Sequence, residues 1–544
     1  MTYVEENFDP ADACPVTTDA VLRRAVAIGP DLEAVVSPSG RCTYAALAAE
    51  VDRIRAALAA AGVRRGDHIA ICLGNGPRWV ALFLAIGSLG AVTVPVNTRF
   101  LTEEFAYALR QSRATMLFVA DRFLKADFIA MLRNICPAVD SALPDPGLPD
   151  LREVVIIGDD VPAAGRSWPD FLAHSAEPAE PVCEPDDVLL IQYTSGTTAY
   201  PKGVLLTHRS MCADAFFSGL RLGLRAGDRF HSARPFFHVA GSALSILSSL
   251  QHLVTLVTME RFEAGEALRL MEAERCTHFS GNDTIALMLL GHPDATRRKL
   301  ALRGAWLAAS PAIVRRVIDE FGAAEAVVAY GLSEASPNVA QSAWWEEQQI
   351  RVSGRMLPQP GVTVRIRDVE TGRNLGPGEV GEILVRGWNV MRGYFGMPEE
   401  TTATLSPDGW LSTGDLGKLG TDRRLEFLGR AKEVIRVGGE NVSPTEVEDV
   451  LHRHPQVRQA AVVGVPDARL LEVPFAFVVV AEGAQAEAEE ILSWVGSRLA
   501  GFKVPRYLRI VDGFESIGMT ASSKVRKRSL AEHAERLLAG ETLR

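Results

Sequence analysis

No two cysteines in this chain stand at Cys-x-x-Cys spacing. The seven, Cys14, Cys42, Cys72, Cys136, Cys183, Cys212 and Cys276, are scattered and odd in number. That speaks against a disulfide framework and a zinc site, and favours a reducing, cytoplasmic setting. An excess of positive charge is also lacking: the net charge is −10, so general nucleic-acid binding is not expected. The opening residues, Met1-Thr2-Tyr3-Val4-Glu5-Glu6-Asn7, are acidic and lack an apolar core; no secretory signal is expected. The stretch Trp79 to Val96 lacks charge altogether. It contains Gly87, Ser88, Gly90 and Pro95, and Ala91-Val92-Thr93-Val94-Pro95-Val96 reads as a strand. A buried helix followed by a strand is predicted there, not a membrane span. Internal repeats are absent, and oligomeric state, including a homodimer, is left open.

What is present is ample core material: 544 residues, 47% of them hydrophobic, enough for several domains. Helical and strand patterns alternate: Ala45 to Ala61 reads as a helix, Asp67 to Cys72 as a strand, Leu253 to Val257 as a strand, Glu263 to Glu274 as a helix, and Ala326 to Ala329 as a strand. Such alternation predicts α/β layers with parallel strands. Pro137 to Asp150 and Pro162 to Glu184 are rich in Pro, Ala and acidic residues, and read as surface loops. Beyond residue 350 short strands separated by glycine turns, at Thr363 to Ile366, Gly381 to Arg386 and Arg424 to Phe427, predict a β-rich subdomain over 350–431. The pattern resets at Ser443-Pro444-Thr445-Glu446, a serine cap with proline in the first turn and glutamate at the capping-box position. A helix to about His452, strands at Ala460 to Val465 and Phe475 to Val480, and a helix near Ala488 to Leu499 complete a small α+β unit. The expected division is 1–431 and 432–544.

The most informative segment is Tyr193-Thr194-Ser195-Gly196-Thr197-Thr198-Ala199-Tyr200-Pro201-Lys202-Gly203. Thr194 to Thr198 are small hydroxyl or glycine positions between two apolar runs, Val188 to Ile191 and Val204 to Leu206. Small side chains let backbone N–H groups converge on an anion, hydroxyls add donors, and Lys202 adds a mobile charge. A strand, a polyphosphate-binding loop and a second strand are predicted. The Walker pattern requires Ser or Thr after its Gly-Lys and then a helix; here Lys202-Gly203 leads into Val204, which disfavours a P-loop kinase or ATPase.

This segment resembles the phosphate loop of the adenylate-forming superfamily, whose members include acyl-CoA synthetases, adenylation domains and luciferases. Ala199 stands where glycine is usual. Other segments follow in the family's order. Tyr330-Gly331-Leu332-Ser333-Glu334 resembles the YGxTE motif, which implies adenine stacking by Tyr330, phosphate contact by Ser333 and Mg²⁺ binding by Glu334, with Thr198 as a second metal contact. Ala309-Ser310-Pro311 resembles the loop covering the other face of adenine. Trp410-Leu411-Ser412-Thr413-Gly414-Asp415 resembles W-x-x-TGD, so Asp415 is expected on the ribose and Arg430 on ribose or phosphate. Pro235-Phe236-Phe237-His238 resembles the aromatic-histidine motif and places His238 at the acyl channel. Lys524 stands where the catalytic lysine of P-x-T-x-x-G-K is expected, although Gly518 replaces the proline and Ser523 the glycine; Lys527 is a rival.

The resemblance implies a large multi-layer α/β N-terminal domain with a β-rich subdomain and a small mobile α+β C-terminal domain hinged at Lys432. It implies two steps: attack of a carboxylate on the α-phosphate of ATP, then transfer to CoA after the small domain brings Gly438, Gly439 and Glu440 to the site. ATP, Mg²⁺ and CoA are the implied cofactors and co-substrates. Gly281, Asn282, Ala308 and Gly331 are expected to line the acyl pocket; the small residues Gly281, Ala308, Ala309 and Gly331, with the polarity of Ser280 to Asp283, suggest a bulky aromatic, alicyclic or polycyclic acid. Transfer to a carrier protein or partner enzyme, and a non-catalytic nucleotide-binding homologue, stay open as alternatives.

Overall fold

The computed structural model describes residues 8–173, 178–194, 201–438, 440–481, 483–484, 486–515, 517–519 and 525–540. Two large sheets and a small one carry the architecture. In the seven-stranded sheet, His68–Cys72, Val92–Pro95, Met116–Ala120 and Glu153–Ile157 pair in parallel. These are continuous apolar runs, as expected of strands covered on both faces. Alternation along His68–Cys72 sends Ile69 and Ile71 into one core and Ala70 and Cys72 into another. The strand Val188–Thr194 joins this sheet beside Val92–Pro95, and Lys202–Thr207 closes its edge antiparallel, with Thr194 opposite Lys202.

The thirteen-stranded sheet has a parallel centre, Thr255–Val257, Arg229–Ser232, His278–Asn282, Gly304–Ala308 and Val327–Gly331. Its ladder then runs antiparallel through Asn338–Gln341, Arg355–Pro358, Leu425–Arg430, Leu411–Leu419, Gly381–Arg386 and Thr363–Arg367. The strands expected beyond residue 350 are therefore an extension of the large sheet, hydrogen-bonded edge to edge.

One expected loop is not simply a loop. Within 162–184, Arg166–Ser167 adds an edge strand and Trp168–Ala173 forms a helix. Phe171 is fully buried and meets the Phe118 ring edge-on at 5.2 Å. Two aromatic side chains outweigh the Pro- and Ala-rich composition around them.

In the C-terminal part, Val457–Asp467 and Leu471–Val480 form a long hairpin covered by the helices Pro444–His452, Ala488–Gly496 and Lys527–Leu538. Ser443 caps the first helix through Glu446 N. The Glu446 carboxylate instead pairs with Lys503 at 2.7 Å. Among the described residues no helix is long and apolar enough to cross a membrane.

Candidate active site

A cleft between the N-terminal sheets and the C-terminal part collects most of the expected residues: Thr194, Lys202, His238, Gly281, Asn282, Ala308, Ala309, Ser310, Pro311, Tyr330, Gly331, Ser333, Glu334, Asp415, Arg430 and Lys432 all line it. Ser195, Gly196, Thr197, Thr198, Gly439 and Lys524 lie outside the described residues.

The flanks of the phosphate loop sit on the hairpin edge. Lys202–Thr207 also bonds to a second partner: Leu205 N donates to Gly393 O at 2.9 Å and Phe395 N to Gly203 O at 2.8 Å. This places Tyr394 between two expected site residues. The Lys202 ammonium lies 5.0 Å from the Tyr394 ring centroid, and Tyr394 Oη donates to Glu334 Oε1 at 3.0 Å. Burial, helped by the Glu334 charge, raises the Tyr394 pKa, so the phenol keeps its proton. In the sequence Tyr394 is marked only as an aromatic between Gly393 and Gly396.

The expected nucleoside-binding residues stand on facing strands. Tyr330 Oη donates to Asp415 Oδ2 at 2.7 Å, and Arg430 Nε stands 2.9 Å from Asp415 Oδ1. The register Asp415 opposite Arg430 fixes that pair. Each carboxylate oxygen accepts more than one bond, so Asp415 retains capacity for further donors. Burial raises the Asp415 pKa against the pull of Arg430. One face of Tyr330 is covered by Phe427, with centroids 5.1 Å apart and planes 23° apart; Phe427 was another residue the sequence reading passed over. Asp283 Oδ1 accepts from Ser310 N at 2.9 Å and holds the Ala309-Ser310-Pro311 turn.

The polarity of Ser280 to Asp283 proves largely structural. Ser280 Oγ bonds Ser232 Oγ, Asn282 caps the helix Asp283–Leu290, and Asp283 holds Ser310. Gly331 likewise answers to the backbone: a methyl group there would lie 1.8 Å from Pro337 O. Its size is dictated by that approach as well as by the cleft. His238 caps the short helix Val239–Gly241, its Nδ1 accepting from Ala240 N at 3.2 Å. Four residues earlier, Arg234 is buried over Trp306, and burial pulls its pKa down to about 9, which leaves it a cation at neutral pH.

From the C-terminal side, Met519 and Val525 pair with each other and both line the cleft. Lys527, the rival lysine, also lines the cleft, where its Nζ pairs with Glu448 and donates to Val462 O at 3.0 Å. Asp449 Oδ1 accepts from Ala312 N at 3.2 Å, so a C-terminal carboxylate caps the N-terminal helix Pro311–Phe321. Gly438 and Glu440 flank a hairpin turn and do not line the cleft; Gly438 has φ +57° and its N donates to Leu470 O at 2.8 Å.

Thr194, Lys202, Tyr330, Asp415, Arg430, Met519 and Val525 thus share one cleft between a large α/β part and a small α+β part. Residues 22–395 match the AMP-binding enzyme family and residues 446–524 its C-terminal domain. The chain is 36% identical to the 3-(7a-methyl-1,5-dioxo-octahydro-1H-inden-4-yl)propanoyl:CoA ligase of Rhodococcus jostii, covering 95% of this chain and 99% of that protein. It is 33% identical to the mitochondrial medium-chain acyl-CoA ligase ACSF2 of Bos taurus, over 94% and 86%. The anthranilate CoA ligase AuaEII, solved with anthranoyl-AMP, has the same fold, with TM-score 0.86, 24% identity and coverage of 98% and 100%. The chain belongs to the AMP-binding enzyme family, in its acyl-CoA ligase branch, and is an AMP-forming acid–thiol ligase.

Proposed function

We propose that this protein activates a bulky cyclic carboxylic acid with ATP and passes the acyl group to CoA. The observation that carries the reading is the presence, on one cleft, of Tyr330–Asp415–Arg430 and Lys202–Tyr394–Glu334. The first group suits a nucleoside, the second a polyphosphate. A carboxylate is already a nucleophile near neutral pH, so no base is required. The enzyme's task is to bring two anions together and stabilise the charge on the pentacoordinate phosphorus. Alignment of the reactants contributes on the order of 7–11 kcal/mol.

Each residue has a role in that scheme. Tyr330 and the Ala309-Ser310-Pro311 turn hold adenine, Asp415 accepts from the ribose hydroxyls, and Arg430 contacts ribose or phosphate. Thr194 to Thr198, Ser333 and Lys202 hold the phosphates, and His238 borders the acyl carboxylate. Lys524 neutralises charge on the α-phosphate. Among the described residues no group of three or more His, Cys, Asp or Glu could hold a metal. A single carboxylate, Glu334, with Thr198, fits Mg²⁺, which takes most of its ligands from phosphate and water; the ion would supply charge neutralisation on the triphosphate. For the second step the C-terminal part pivots at Lys432 and brings Gly438, Gly439 and Glu440 to the cleft. Seven unpaired cysteines suit a reducing, cytoplasmic compartment.

Small residues at Gly281 and Ala308 favour a wide acid, and the Rhodococcus relative is named for a fused-ring propanoyl group. A panel of ring and straight-chain acids, read by mass spectrometry for acyl-AMP and acyl-CoA, tests the reading. Ring acids are expected to give the highest kcat/KM; fastest turnover of plain medium- or long-chain acids rejects the ring specificity, and acyl-AMP without acyl-CoA points to a carrier or enzyme acceptor. Lys524→Ala should abolish acyl-AMP formation while largely sparing thioester formation from supplied acyl-AMP. Survival of both steps would remove Lys524 from the mechanism.

A further inference from the structure

Two buried donors on the acyl side of the cleft have nothing to donate to. Arg234 and Trp306 each keep only 8% of their surface exposed. The Arg234 Cζ lies 3.9 Å from the Trp306 ring centroid. Arg234 Nη1 and Trp306 Nε1 are both buried without a hydrogen-bond partner. Arg234 takes part in none of the ion pairs formed among the described residues.

Other buried arginines of this fold are treated differently. Arg221 donates to Gln341 O, Leu357 O and Pro358 O, and Arg351 to Ala326 O and Glu346 O. Those guanidiniums donate to main-chain carbonyls and serve the framework. Arg234 is instead held by its backbone: Asn75 Nδ2 donates to Arg234 O at 2.8 Å and Asn75 Oδ1 accepts from Phe236 N at 2.8 Å. Arg234 lines the cleft together with Trp306, Ala308 and His238. Trp306 sits two positions before Ala308 on Gly304–Ala308, on the same face of the strand and deeper in the sheet. A cation taken out of water and left without an acceptor is costly, and an oxygen arriving with a ligand relieves that cost.

We propose that Arg234 and Trp306 form a subsite for an acceptor oxygen carried by the acid at the end remote from the carboxylate that is activated, either a ketone or a second carboxylate. The inference rests on the acid-activation reading above, but not on the ring preference. Arg234 and Trp306 are specificity-determining residues in this account, and neither takes part in bond making. The same pocket rejects a purely hydrocarbon acid, because the guanidinium then stays unpaired.

Matched acids test this with the full-length enzyme. On a cyclohexyl-propanoate skeleton and on a straight eight-carbon skeleton, the remote position carries hydrogen, a ketone or a carboxylate. The wild type is expected to prefer an oxygenated member over its hydrocarbon parent by roughly 10- to 100-fold in kcat/KM. Preference for the ketone or the dicarboxylate decides which oxygen the subsite reads. In Arg234→Met the ratio should fall to within about threefold of one, with turnover of the hydrocarbon acid retained or raised. Arg234→Lys should be intermediate, and Trp306→Phe, which keeps the stacked ring and deletes one donor, should lose part of the preference; this second variant carries the test if the first does not fold. A wild-type ratio near one, or a ratio unchanged in Arg234→Met and Trp306→Phe, overturns the subsite while acid activation stands. Failure of every acid to give acyl-AMP overturns acid activation and the subsite with it.

Discussion

Gly331 has no room for a methyl group. Its Cβ would meet Pro337 O at 1.8 Å, and both groups are main chain or fixed to it. At Gly281 the nearest atoms are Ile285 Cγ2 at 3.0 Å and Cβ at 3.2 Å, a side chain that needs to give by only a few tenths of an ångström. Two glycines with one expected role therefore have different tolerances. Gly331→Ala should lower stability by about 1–3 kcal/mol in denaturant unfolding and disturb Tyr330, its neighbour on the strand. Gly281→Ala should fold nearly as the wild type and narrow the range of acids accepted. At this scale the sequence was an uneven guide. Motif residues such as Tyr330, Asp415 and His238 could be picked out because order and spacing marked them. Tyr394, Phe427 and Arg234 could not, since each matters through a contact with a residue far away in the chain: Glu334, Tyr330 and Trp306 respectively.

Elements were more legible than their junctions. The helix Pro444–His452 announces itself through Ser443 and Pro444, and the strand Val188–Thr194 through its apolar run. The helix Trp168–Ala173 was hidden in a Pro- and Ala-rich stretch because its stability comes from Phe118, a tertiary contact. The helix Pro311–Phe321 shows the same dependence in another form. Ser310 makes no side-chain cap, and Asp449 of the C-terminal part accepts from Ala312 N instead. Loss of such a cap costs about 0.5–2 kcal/mol. Asp449→Ala should therefore disfavour the arrangement in which the Lys524 segment faces the cleft. The expected outcome is a two- to tenfold slower pyrophosphate–ATP exchange, with thioester formation from supplied acyl-AMP unchanged or faster; equal slowing of both half-reactions would contradict it.

For the molecule as a whole, acid is the sharpest stress. His208, His231 and His278 are buried and His252 and His452 half-buried, and loss of solvation lowers each pKa from 6.5 to about 4. They are neutral in the fold, whereas the unfolded chain binds protons below pH 6.5. Stability is thus fully present above 6.5 and falls as pH drops towards 4, by up to about 1.4 kcal/mol per pH unit for each histidine. Asp19, Asp214, Asp415 and Glu448, each raised by burial, work in the opposite sense, while Glu33, held low by Arg41 and Arg229, adds to the loss in acid. Thermal unfolding should show a steep fall in Tm between pH 6.5 and 4; a flat profile there would mean these histidines are protonated in the native state. The α/β layering behind this burial was legible from alternating runs. The continuity of the thirteen-stranded sheet was not, because strand order depends on partners that no local pattern encodes.

That continuity ends at a definite place. The ladder's last pair on this side is Asp415 with Arg430, and the next strand, Ile435–Val437, belongs to another sheet. Only residues 431–434 lie between, a tether of about 14 Å at full stretch. For the pivot proposed at Lys432, so short a leash keeps the departing lobe at an effective concentration in the millimolar range. The lobe would then re-dock faster than a reactive acyl phosphate anhydride could escape, and hydrolytic loss between the two half-reactions would stay low without any lid.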